Sequence, residues 1–67
     1  MGNINLQDIY GFTALIAASS MGNLEVVKIL IKNGVDINLK KYDDNKTALM
    51  VASDFSHTEV VKYLESL

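Results

Sequence analysis

Sixty-seven residues allow one small domain, whose folded chain buries only about 60% of the surface its unfolded form exposes. There is no cysteine and a single histidine, His57, so disulfide staples, thiolate metal sites and any two-histidine metal site are excluded. Eight acidic residues stand against six basic ones, a net charge of −2, which leaves no basic face to clamp a phosphate backbone.

Taken in chain order, the first punctuation is Gly11, a turn residue. Thr13 can cap the helix that follows by accepting a bond from an orphan backbone N–H, which predicts a short helix over 14–21. Ala17 and Ala18 within it are small enough for a neighbouring helix to approach closely. Gly22-Asn23 breaks it. A second helix is predicted over 24–32, where Leu24, Val27, Leu30 and Ile31 form one apolar stripe and Lys28 and Lys32 stay wet. Glu25 suits its positive first turn, and Gly34 is the expected left-handed stop. Val35-Asp36-Ile37-Asn38-Leu39 is short, polar and partly alternating, which fits a hairpin-like loop. Further helices are predicted over 48–55 and 58–66. Between them Ser56 replaces the inter-helix glycine, and Ser56-His57-Thr58-Glu59 reads as a capping box that compensates for it. The expected core is Leu15, Ala18, Val27, Leu30, Leu49, Ala52, Val61 and Leu64.

The chain repeats itself. Thr13-Ala14-Leu15 returns as Thr47-Ala48-Leu49, Ala18-Ser19 as Ala52-Ser53, and Glu25-Val26-Val27-Lys28 as Glu59-Val60-Val61-Lys62, each 34 positions on. Ile4-Asn5-Leu6 returns as Ile37-Asn38-Leu39, 33 positions on. One residue has therefore been inserted between 40 and 46, within Tyr42-Asp43-Asp44-Asn45. Self-similarity at such a period marks stacked copies of one supersecondary unit, here loop, helix, turn, helix.

These residues resemble the ankyrin repeats. The matching stretch runs Asp8-x-x-Gly11-x-Thr13-Ala14-Leu15-Ile16-x-Ala18, then Gly22-Asn23-Leu24-Glu25-Val26-Val27, then Leu30-Ile31-x-x-Gly34-x-Asp36-x-Asn38. The resemblance covers the whole chain. It implies an all-α fold, helix-turn-helix pairs stacked as a short solenoid with β-hairpin-like loops. It also implies a single domain over 1–67, with 1–7 the tail of a preceding repeat, 8–40 the first repeat and 41–67 the second. The chain departs from the family pattern where Ala14 and Ala48 replace proline and Ile16 and Met50 replace histidine. In the family that histidine bonds the hairpin to the helix start, so the tie is missing in both units. Asn45 replaces the hairpin glycine and Ser56 the inter-helix glycine.

Catalysis fails on inventory. Ser19, Ser20 and Ser53 have no matched histidine, because His57 falls at the turn into the last helix and reads as a turn residue. Asp43-Asp44-Asn45 lacks the fixed glycine and distal glutamate of a calcium loop and reads as a solvated turn. Lys40-Lys41 is too short for a nucleic-acid patch, and there is no glycine-rich phosphate loop. No apolar run approaches a membrane span, and Met1-Gly2-Asn3-Ile4-Asn5 does not read as a signal peptide. The expectation is therefore a non-enzyme without cofactor, metal, nucleic acid or membrane, in the cytoplasm.

What remains is a surface. The resemblance implies a concave groove lined by hairpin tips and first helices that binds another protein. By position it would contain Ile9, Tyr10, Phe12, Ser20 and Met21 from the first unit, and Tyr42, Asp43, Lys46, Asp54 and Phe55 from the second. The first set is unusually apolar for a loop, and Tyr, Phe and Met are typical of interface cores. The alternative for single members is local packing, Phe12 over the hairpin and Met21 or Phe55 at a helix end. The chain is thus expected to be a protein-binding scaffold or, alternatively, a self-associating fragment, either a homodimer or part of a longer array. Both ends lack a clearly polar cap, and solenoid repeats bury their apolar faces against neighbours.

Overall fold

The computed structural model describes residues 3–67, so Met1 and Gly2 of the expected 1–7 tail lie outside the described residues. The described residues form four helices, α1 Ala14–Ser20, α2 Leu24–Lys32, α3 Ala48–Asp54 and α4 Thr58–Glu65, and no strand. Three begin where a side chain supplies a missing acceptor. Thr13 accepts from the Ile16 N–H, Asn23 from Val26 and Thr47 from Met50, each satisfying a donor that the helix leaves orphaned. The first, third and fourth end one residue before their predicted limits, with Met21, Phe55 and Ser66 as the C-terminal caps.

The fourth helix starts at the expected residue, Thr58, but without the expected cap. The capping box does not form. Ser56 takes the left-handed conformation, with φ of 60°, and so fills the role that Gly22 fills at 71°. That places the helix start at Thr58, moves the N-cap position to His57 and leaves that position without a side-chain cap bond. Ser56 is one residue too early to cap.

The loops are closed by short backbone bonds. The Asp8 N–H donates to the Phe12 carbonyl and the Lys41 N–H to the Lys46 carbonyl, 3.0 Å each, so the second turn holds the inserted residue. Carboxylates lock both turns. Asp8 receives the N–H groups of Tyr10 and Phe12 at 2.8 and 2.9 Å, and Asp44 receives the Lys46 N–H at 3.1 Å. Successive loops then pair with each other. Asn5 accepts from the Asp36 N–H at 2.7 Å, the Gln7 amide donates to the carbonyls of Gly11 and Lys40 at 2.9 Å, and the Tyr42 N–H donates to the Tyr10 carbonyl at 3.0 Å. These bonds hold the two helix pairs at one spacing without the family's usual histidine.

The core is Leu15, Ile16, Ala18, Val27, Val35, Ala48, Val51, Ala52, Val60 and Leu64. Five of the eight expected residues are among them. Leu30, Leu49 and Val61 are only partly buried against this cluster. The cause is the stack: α1 lies against α3 and α2 against α4, so in each copy only the side with a neighbour closes.

Candidate partner-binding surface

The residues expected at the surface fall into three groups. At the loop tips, Ile9 and Tyr10 are 83% and 63% exposed, and the Tyr42–Tyr10 backbone bond brings the second tip, Tyr42-Asp43, beside them. The Tyr42 ring lies against Gly11, where a Cβ would come within 2.9 Å of two of its carbons, yet Tyr42 remains largely exposed. At the helix ends, Met21 and Phe55 are 75% and 61% exposed. The Phe55 ring lies 6.2 Å from that of His57, and His57 Nε2 lies 2.9 Å from the Ser20 carbonyl oxygen. Between these groups, Lys46 and Asp54 form an ion pair that joins the second loop to the end of α3.

Two residues behave as the local alternative required. Phe12 is half-buried against the core, with the Lys41 ammonium 5.1 Å from its ring centroid. Ser20 is half-buried, and its hydroxyl donates to the Ala17 carbonyl at 2.8 Å. Met21 and Phe55 are not half-buried at their helix ends; both stand open.

Charge is organised locally. The Asp54 carboxylate bonded to Lys46 holds the lysine above its ordinary range. Partial desolvation pushes the Asp44 carboxyl up, but its bonds to the Lys41 side chain and the Lys46 backbone outweigh this and hold it below its ordinary value. The Lys41–Asp44 pair is 3.0 Å long. Such pairs set loop shape more than stability. The described residues contain no group of three or more metal-ligating side chains, and none of their helices is long and apolar enough to cross a membrane.

Sequence reasoning missed a second open region. A groove of about 380 Å³ runs along α3 and α4, lined by Leu49, Met50, Ser53, Val61 and Glu65 together with Lys46 and Asp54. Met50 is 49% exposed there, while its counterpart Ile16 is buried. Sequence carries the signal only through the repeat itself, as a position that is apolar in both copies.

Short helix pairs stacked side by side, with paired loops and exposed aromatic tips, define a helical-repeat interaction module. The chain belongs to the ankyrin repeat family: a family model described as "Ankyrin repeats (3 copies)" matches residues 1–66. Repeats of this family generally mediate protein–protein interaction and are generally not enzymes. Among relatives, alpha-latrotoxin-Lhe1a of Latrodectus hesperus is 40% identical over 63 residues, covering 94% of this chain and 4% of the toxin. An ankyrin repeat protein of Rickettsia bellii is 36% identical over 63 residues, covering 94% of this chain and 37% of that protein. A similar solved structure, that of a predatory endopeptidase from Bdellovibrio bacteriovorus in complex with an immunity protein, has a TM-score of 0.92 and 34% identity. The match covers 96% of this chain and 33% of that one. The chain therefore spans only a small part of the longer proteins it resembles.

Proposed function

We propose that this chain is a non-enzymatic scaffold that binds a protein partner through its loop tips and helix ends. Ile9, Tyr10, Met21, Tyr42 and Phe55 form the contact, Asp43, Lys46 and Asp54 supply its polar part, and Phe12 and Ser20 support it from below. Residues 8–40 and 41–67 act as its two repeats, and 1–7 as the tail of a preceding one. The observation that carries this reading is the exposure of large apolar side chains on loop tips, where each costs solvation unless a partner covers it. The paired tips are also held rigid by backbone bonds, which lowers the ordering cost of binding.

The test is a set of substitutions in a captured complex. Ile9→Ser, Tyr10→Ala and Phe55→Ala are expected to weaken binding at least tenfold, about 1.4 kcal/mol, with circular dichroism unchanged. Lys32→Ala, on the exposed side of α2, is expected to leave it intact. Equal losses from both sets, or loss from Lys32→Ala alone, would move the site elsewhere.

A further inference from the structure

Of the six asparagines in the chain, only Asn33 is followed by glycine. The others precede isoleucine, leucine or lysine. An asparagine side chain is open to attack by the backbone nitrogen of the next residue, and glycine, which has no Cβ, leaves that nitrogen unhindered. Asn33-Gly34 is therefore the one place where this chain is chemically primed to deamidate.

The fold sets this pair at the end of α2, and burial does not shield it. Asn33 is exposed, and a Cβ on Gly34 would meet nothing within 4 Å. Hydrogen bonds hold the pair instead. The Asn33 side-chain amide donates to the Ile29 carbonyl at 2.7 Å. The Gly34 N–H donates to the Ile31 carbonyl at 3.0 Å and the Val35 N–H to the Leu30 carbonyl at 3.2 Å, the paired bonds of a helix that ends on glycine. With ψ of 11° at Asn33, the Gly34 nitrogen faces back along the helix, away from the Asn33 side chain. Closing a ring onto that side chain takes more than a right angle of rotation about the Cα–C bond, which breaks the bonds to Ile31 and Leu30.

We propose that Asn33 is a deamidation site that the folded end of α2 holds closed, so that it converts while this turn is open. The step needs only base and water. The Gly34 nitrogen gives up its proton and bonds to the side-chain carbonyl carbon of Asn33. The bond from that carbon to Nδ2 breaks, and the amide leaves as ammonia. Water then opens the cyclic imide at either carbonyl, leaving aspartate or isoaspartate at 33. Either product works against refolding. A carboxylate has no N–H for the Ile29 carbonyl, and it sets negative charge at the negative end of the helix. Isoaspartate also adds a carbon to the main chain between Leu30 and Val35, and Val35 belongs to the core. Conversion is thus one-way and records time spent unfolded. This inference is independent of the partner surface proposed above.

The experiment incubates the full chain in mildly alkaline buffer, with and without enough urea to unfold it, and follows each asparagine by mass spectrometry of tryptic peptides. A peptide of residues 29–37 in the same buffer gives the rate without fold or urea. In urea Asn33 is expected to convert first, well ahead of the other asparagines, and Asn33→Gln should abolish this early conversion. In the folded chain its rate is expected to be lower than both references by roughly tenfold or more, because the turn opens only part of the time. Chain deamidated in urea and returned to buffer should melt at a lower temperature than the unmodified chain. Equal rates in the folded chain and the references would overturn the proposal, as would another asparagine converting first in urea. A deamidated chain that regains the original melting temperature would also overturn it, since conversion would then leave the fold unmarked.

Discussion

His57 Nε2 reaches 2.9 Å from the carbonyl oxygen of Ser20, 37 positions earlier in the chain. A carbonyl only accepts, so this ring nitrogen carries a proton and donates. The counterpart position in the first copy is Asn23, whose side chain instead caps its own helix. One position thus serves two ends: it starts a helix in the first copy and ties the pairs together in the second. His57→Ala removes a partly buried bond between the pairs and is expected to cost roughly 0.5–1.5 kcal/mol. A urea titration checks this. An unchanged midpoint would show that the bond contributes nothing net.

Leu15 and Leu30 separate the two kinds of apolar position. Leu15 is enclosed between α1 and the rest of the core, 1% exposed, while Leu30 is half-buried. Leu15→Ala is expected to cost roughly 2–5 kcal/mol, enough to unfold so small a chain, whose total stability is of order 5 kcal/mol or less. Leu30→Ala should cost clearly less and leave a cooperative melt. Equal effects would contradict the burial that distinguishes them.

That pair also shows where the sequence was informative. Helix limits were readable because caps and left-handed turns are local: Thr13, Asn23, Gly22 and Gly34 act within a few residues of themselves. The core was only partly readable because Val26-Val27 and Val60-Val61 are identical strings in different surroundings. Val27 is buried in the first copy, yet in the second it is Val60, not Val61, that is buried. Identical repeats cannot reveal which side has a neighbour. The Ser20–His57 tie was invisible for the same reason, since it joins residues that only stacking brings together. Of the surface residues, those on the tips were legible from being apolar in a turn. Phe12 was ambiguous because an aromatic ring beside a turn can pack inward as well as stand open, and it packs partly against the core.

Ser19 is fully buried, and among the described residues its hydroxyl has no hydrogen-bond partner. A buried unpaired hydroxyl costs roughly 1–3 kcal/mol of desolvation, and alanine is the better helix former. Ser19→Ala is therefore expected to raise the stability of the chain, by up to about 1 kcal/mol once the small loss of packing is counted. Thermal denaturation decides it: a lower midpoint in the alanine variant would mean that the hydroxyl finds a partner in solution.

Ser56 and Asn45 both hold a left-handed backbone, but they should not respond alike to glycine. A left-handed L-residue costs roughly 1–2 kcal/mol, and asparagine is partly exempt because its short side chain bonds locally. Glycine removes that strain but adds roughly 0.4–1 kcal/mol of unfolded-chain freedom. The balance favours Ser56→Gly, with a gain approaching 1 kcal/mol, and leaves Asn45→Gly near zero. For a domain of this size a gain of 1 kcal/mol moves the midpoint by roughly 4–8 °C. Ser56 is exposed, so little packing is lost to offset the gain. Melts of the two single variants at low concentration, where association contributes nothing, measure the difference directly. A lower midpoint for Ser56→Gly than for the unmodified chain would show that the serine side chain holds this turn, and that the left-handed corner carries no strain.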